Sequence, residues 1–159
     1  MRERRMRSGV VRILVSASAM SSRLAAHMST SAGAGMMAKQ RWAVLGDVLN
    51  PAKPAAGVVG ALKRAGKDVL LVNPRDSTGA CHTSLKACAA QLDADTVVDL
   101  IINPKAGLEL MQEAADIGIK SVFIQPGAGS DAIKELCSQR GIEVFEGCVM
   151  VELNDHSGP

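Results

Sequence analysis

The chain has 159 residues, enough for one domain with a real core; 47% of them are apolar and only 2% aromatic, so that core is expected to be aliphatic. The formal charge of +2 is unevenly divided: residues 1–41 carry eight Lys/Arg against Glu3 alone (net +7), and residues 42–159 carry ten against fifteen acids (net −5). A net acidic folded part with no basic stripe argues against nucleic acid as a partner, and no apolar run reaches the length of a membrane span.

Residues 1–41 are rich in Arg and Ser, poor in acid and dotted with small residues, which is the composition of an organelle transit peptide. They are expected to form a disordered extension that directs the chain to the mitochondrial or another organelle matrix. A bare extension on a cytoplasmic protein is the alternative. Secretion is disfavoured because Arg12 interrupts the only short apolar core, Val10 to Ala19. Met20, Met28, Met36 and Met37 are potential later starts.

From Arg41 onward strand and helix patterns alternate through residue 152. Trp42-Ala43-Val44-Leu45 reads as a strand ending at Gly46, and the loop 46–54 leads to a helix over 54–65, with Gly66 as its stop. A second strand at 68–72 runs into Asn73-Pro74. A loop over 73–83 and a short helix over 84–92 precede a strand at 97–102, which runs into Asn103-Pro104. A helix over 105–117 stops at Gly118. The strand 120–124 then ends in Gln125-Pro126-Gly127, and Ser130 caps a helix over 130–140. The last strand covers 142–145, and 153–159 reads as a loose tail.

Three of these strands stop at a side-chain amide followed by proline. Proline cannot donate to a strand ladder and pushes the residue before it away from helix, so each pair marks a strand's carboxyl end. Short alternating units argue for an α/β fold in a single domain: a doubly wound parallel sheet of about five strands. All carboxyl ends of such a sheet lie on one edge, and ligands bind in the crevice outside it.

Glycine at 46 permits close backbone approach, and the helix that follows offers N–H groups to an anion, with Lys53 as a charge for a phosphate. Asn73 stands where a nicotinamide-dinucleotide site usually places an acid; it leaves room for a phosphorylated ribose that Arg75 can pair with. A tight turn at Gly46, solvated Lys53 and Arg75, a turn-forming Asn73 and a helix-capping Asn103 are the plainer readings of the same residues. Cys81, Cys88, Cys137 and Cys148 include no C-x-x-C pair and no zinc spacing, so no metal is expected and the thiols read as reduced. No base stands beside a nucleophile. His82 falls in a loop and His156 in the tail, so no catalytic residue is assigned and an enzyme is disfavoured.

Residues 42–152 resemble the stand-alone CoA-binding-domain proteins, whose Rossmann-like fold is shared with the CoA-binding domain of succinyl-CoA synthetase alpha chains. The matching pieces, in order, are Ala43-Val44-Leu45-Gly46 with Lys53, Gly66 through Val72-Asn73-Pro74, Asp99 to Pro104, Gly118 to Gly127, and Gly141 through Cys148 and Glu152. Two places depart from the family's pattern. Its Gly-Ala-Ser loop is Gly46-Asp47-Val48 here, which sets a carboxylate where a pyrophosphate would approach, and its aromatic-Arg pair is Ile102-Asn103.

The resemblance implies a non-enzymatic module that binds CoA or an acyl-CoA, a small-molecule nucleotide ligand. Its expected contacts are Gly46, Asp47, Val48, Lys53, Pro54, Asn73, Pro74, Arg75, Asn103, Pro104, Gln125, Pro126 and Gly127. An NADP-linked redox enzyme or sensor, and a scaffold that has lost its ligand, stand as alternatives. A homodimer or a partner subunit is compatible with each.

Overall fold

A computed structural model describes residues 32–155. Five strands, β1 (Arg41–Gly46), β2 (Asp68–Val72), β3 (Val97–Ile101), β4 (Ser121–Ile124) and β5 (Glu143–Glu146), form one all-parallel sheet in the order β2-β1-β3-β4-β5. The winding reverses between β1 and β3, which makes their carboxyl ends the switch point of a doubly wound, Rossmann-like sheet. The three amide-proline pairs follow β2, β3 and β4 and lie on this one edge, as expected.

Helices cover both faces. Strand residues alternate between them, so Ala43, Leu45, Val98, Leu100, Val122 and Ile124 meet α3 (Pro104–Asp116) and α4 (Asp131–Gln139). This face is aliphatic throughout. Trp42, Val44, Val97 and Phe123 face the other way, toward α2 (Pro54–Arg64) and α5 (Val149–Asp155). All three aromatic residues of the chain gather there: the Trp42 and Phe123 rings lie 5.9 Å apart and those of Phe123 and Phe145 5.0 Å apart.

Two boundaries read from sequence are corrected. Residues 32–38 are helical (α1), with Met36 and Met37 buried in the aromatic face, so the domain starts before residue 42. The Lys67 ammonium fixes this segment by donating to the carbonyls of Met37 (2.6 Å) and Lys39 (2.9 Å), and the Trp42 indole N–H donates to Lys39 O. Burial pulls the Lys67 pKa down. At the other end, residues 153–155 belong to α5 and are not tail. The rest of the proposed extension, residues 1–31, and the tail from His156 on lie outside the described residues. The short helix expected over 84–92 is a 3-10 helix, Lys86–Gln91, kinked at Cys88.

Candidate functional site

A cleft of about 340 Å3 opens at the switch point, lined by Asp47, Lys53, Pro54, Arg75, Ile101, Ile102, Asn103, Pro126, Gly127 and Ala128. Four loops supply it, each following a different strand. The loop after β1 owes its position to Gly46. A Cβ there would stand 2.5 Å from the Ile101 carbonyl oxygen and 3.1 Å from the Ala55 Cβ, so only glycine lets α2 seat this close to the sheet.

Helix α2 begins at Pro54, with Lys53 in the cap position. It has no side-chain cap and no acid in its first turn. Helices α3 and α4 begin differently. Asn103 Oδ1 accepts the Ala106 N–H at 3.1 Å, and Ser130 Oγ accepts the Ile133 N–H with Asp131 in the first turn. The positive end of α2 is thus left facing the cleft without a side-chain cap or an acid in its own first turn.

Arg75 is carried by an ordered loop. Asn73 is buried, and its side chain accepts the Arg75 N–H at 3.0 Å. Its main-chain N–H donates to His82 O at 2.8 Å, and His82 bridges Val72 as a one-residue strand. Farther along, Asp76 accepts from the Thr78 hydroxyl, the Thr78 N–H and the Cys81 N–H. These bonds, the Thr78 hydroxyl foremost, hold its carboxyl well below the usual range.

Among the described residues neither Lys53 nor Arg75 takes part in a salt bridge, so both cations remain available to a ligand. Asp47 stands on the same rim, where its carboxylate accepts a long 3.4 Å bond from Asn50 Nδ2. Two cations and one carboxylate leave the cleft net positive.

The structure therefore brings together Asp47, Lys53, Pro54, Arg75, Asn103, Pro126 and Gly127. It places other expected contacts elsewhere. Val48 is a core residue on the α2 face, 5% exposed. The Asn73 side chain is buried with its Oδ1 in the turn, and it does not line the cleft. Pro104 is the first residue of α3, Pro74 is exposed beside Arg75, and Gln125 is buried and lines a neighbouring hollow beyond the Pro126–Gly127 turn. Ile101, Ile102 and Ala128 also line the cleft although they were not among the expected contacts; their position beside the strand ends is the signal that was there to use.

Sequence reasoning also passed over Asp99, an acid inside the apolar run Val97 to Ile102. It is fully buried on β3, and one of its oxygens accepts from Gln125 Nε2 at 2.9 Å.

A larger hollow, about 430 Å3, lies at the opposite edge beside Arg41, Asp68, Val69, Leu70, Ala90 and Gln91. Its one cation, Arg41, is bonded to Asp93 at 3.0 Å, and no helix N-terminus points there; the smaller cleft has the chemistry for an anion. Among the described residues no cluster of three potential metal ligands occurs. All four cysteines are free, and burial raises the pKa of Cys88 and Cys137, which keeps these thiols unreactive.

No curated protein matches the chain. Among solved structures, a conserved hypothetical protein from Pyrococcus furiosus is 33% identical, with a TM-score of 0.62, over 71% of this chain and 98% of that one. A Thermus thermophilus protein is 26% identical (TM-score 0.67, 80% and 97% covered). A hypothetical protein from Pyrococcus horikoshii OT3, 24% identical (TM-score 0.70, 82% and 92% covered), shares the fold. The family model described as the CoA binding domain matches residues 40–154, nearly all of the described structure. With the doubly wound sheet and its cleft at the switch point, that match places the chain in the CoA-binding domain family.

Proposed function

We propose that the chain binds CoA or an acyl-CoA in the switch-point cleft and performs no chemistry on it. The observation that carries this reading is the meeting of Lys53, Arg75 and the uncapped start of α2 on one rim. The pyrophosphate would lie over the α2 N-terminus, where Gly46 keeps the backbone close, and Lys53 or Arg75 would take the ribose phosphate. The cleft alone is smaller than CoA, so the pantetheine arm would run along the Pro126–Gly127 wall. The cleft is lined by an anion-binding set, with no base-nucleophile pair among the described residues, and we favour a binding module, acting as a sensor or as a subunit of a larger assembly. NADP carries the same ribose-phosphate chemistry and remains the competing ligand. We further propose that residues 1–31 direct import into an organelle matrix.

Asp47 favours a second reading, a scaffold whose ligand site has decayed, because its carboxylate opposes a pyrophosphate at the same rim. Calorimetric titration of the full chain with CoA, acetyl-CoA, NAD and NADP separates these readings. The module reading expects micromolar CoA binding that weakens about tenfold or more in Lys53→Ala or Arg75→Ala, and NADP preference would move the protein to the redox alternative. Binding that appears only in Asp47→Ala would indicate the decayed scaffold.

A further inference from the structure

Asp99 has no exposure to solvent, yet only one of its two oxygens is satisfied. Oδ1 accepts from Gln125 Nε2 at 2.9 Å; Oδ2 is buried with no hydrogen-bond partner among the described residues. A bare carboxylate oxygen in an apolar interior is strongly disfavoured, whereas the neutral acid tolerates the site. Burial accordingly pushes the Asp99 pKa up to about 7, against the smaller opposing pull of the Gln125 bond.

The surroundings supply no compensating charge. Val44 of β1 and Phe123 of β4 flank Asp99 in register, and the elements over this face contribute Met36, Val58, Phe145 and Val149 to its core. Those elements do carry charged groups. Lys39, next to α1, is bonded to Ser121, and Lys53 at the α2 cap and Lys63 and Arg64 of α2 are exposed. Asp47 beyond β1, Glu143 and Glu146 of β5, and Glu152 and Asp155 of α5 are at least partly exposed. None of them contributes to the shift of Asp99.

Gln125 links this carboxyl to the cleft. Its main-chain N–H donates to Leu100 O at 3.1 Å, and its carbonyl accepts the Ala128 N–H at 3.0 Å, closing the turn through Pro126 and Gly127 that forms one wall. Asp99 therefore holds, from beneath, the residue on which that wall is built.

We propose that Asp99 is a proton-operated positioning residue for the cleft: as the neutral acid it holds Gln125 and the Pro126–Gly127 turn in the ligand-accepting position, and on losing its proton it draws Gln125 Nε2 into a tighter, charge-assisted bond that shifts the turn, and sets a negative charge beneath an anionic ligand. The ligand half rests on the binding reading above; the coupling of Asp99 to the turn does not. By reciprocity, an anion bound in the cleft raises the proton affinity of Asp99, so binding takes up protons near neutrality.

Two measurements on the full chain test this. Without ligand, the Gly127 and Ala128 amide resonances are followed from pH 5 to 9 in the wild type and in Asp99→Asn, which imitates the neutral acid. A titration centred near neutrality in the wild type and absent from the variant is expected. Amides that stay still, or that titrate alike in both proteins, overturn the proposal. Should Asp99→Asn fail to fold, the Asp99 carboxyl carbon resonance of the wild type decides, and ionisation below pH 5 overturns it. CoA titrations at pH 6 and 8.5 form the second arm. Affinity is expected to fall with pH in the wild type, by at most about tenfold per pH unit for one linked proton, and to stay level in Asp99→Asn. Equal wild-type affinity at both pH values overturns the proposal. If CoA gives no heat at any pH, the binding reading falls, and the amide titration alone decides whether Asp99 governs the turn.

Discussion

Under α3 and α4 the sheet presents a continuous apolar surface, aliphatic apart from the sulfurs of Met111, Cys88 and Cys137. Under α1, α2 and α5 it presents Trp42, Phe123 and Phe145, the bare glycine at 46 and the half-satisfied Asp99. The two faces bury comparable numbers of large side chains, so the irregular one is not simply the weaker. The difference lies in what each face supports. The aliphatic face holds capped helices that end in turns. The irregular face seats the helix whose uncapped start meets the cleft, and it sets a titratable group beneath the wall of that cleft. Local rules give way where a site is built, and here they give way on one face.

The sharpest way to break this contrast is to remove equivalent side chains from both faces. Met36 of α1 and Met111 of α3 are both fully buried. Met36→Ala and Met111→Ala should each cost about 2–5 kcal/mol in urea unfolding, as methionine-to-alanine changes in cores do. A cost below about 0.5 kcal/mol for Met36→Ala would remove α1 from the core and return the domain boundary to residue 41.

Glycines give the next comparison. An alanine methyl at Gly46 would press on the Ile101 main-chain oxygen at 2.5 Å, a neighbour that cannot yield without moving a strand. At Gly107, inside α3, the nearest atoms are the ends of the Ile133 and Leu100 side chains, both at 3.3 Å. Gly46→Ala should therefore cost about 1–3 kcal/mol and abolish CoA binding. Gly107→Ala should stay within about 1 kcal/mol of wild type, its gain in helix propensity offsetting the tighter packing. Differential scanning calorimetry of the pair reads the contrast directly.

Asp99 sharpens the comparison through pH. Its carboxyl ionises near 4 when unfolded and at about 7 in the fold, so between these values the native state holds a proton that the unfolded chain has lost. Stability from this group is thus present in full below pH 4 and falls as pH rises toward 7, the reverse of the usual salt-bridged carboxylate. The difference in unfolding free energy between Asp99→Asn and wild type should grow by a few kcal/mol from pH 4.5 to 8, in favour of the variant. A difference that stays constant with pH would mean that Asp99 is ionised inside the fold.

What the sequence made legible follows the range of the interactions involved. The strand ends were readable because proline and the amide before it act within two residues, and seven of the thirteen expected contact residues line the cleft. Helix α1 was not readable: Ala32, Gly33, Ala34, Gly35 and Ala38 have the small-residue look of a leader, and the helix is held by Met36, Met37 and the remote Lys67. Val48 was read as a ligand contact because nothing local says which way a loop residue turns; packing against the α2 face turned it inward. Asn73 carries the signals of a ribose contact and of a turn former alike, and the bond to the Arg75 N–H shows the turn role in use.

Asn103 poses that same choice at smaller cost, because it both caps α3 and stands on the cleft rim. Its Oδ1 is committed to the Ala106 N–H, which leaves Nδ2 as the group for a ligand. Asn103→Ala removes both roles and should lower stability by about 1 kcal/mol, the usual worth of such a cap. Asn103→Asp keeps the cap, and a carboxylate suits the positive end of a helix, so stability should hold or rise slightly. It also exchanges a donor for a second carboxylate facing the one at Asp47. CoA affinity should then fall in Asn103→Asp although the fold is intact, and calorimetry with urea unfolding on the same samples separates the roles. If affinity falls in Asn103→Ala but holds in Asn103→Asp, the residue serves the site only by capping α3.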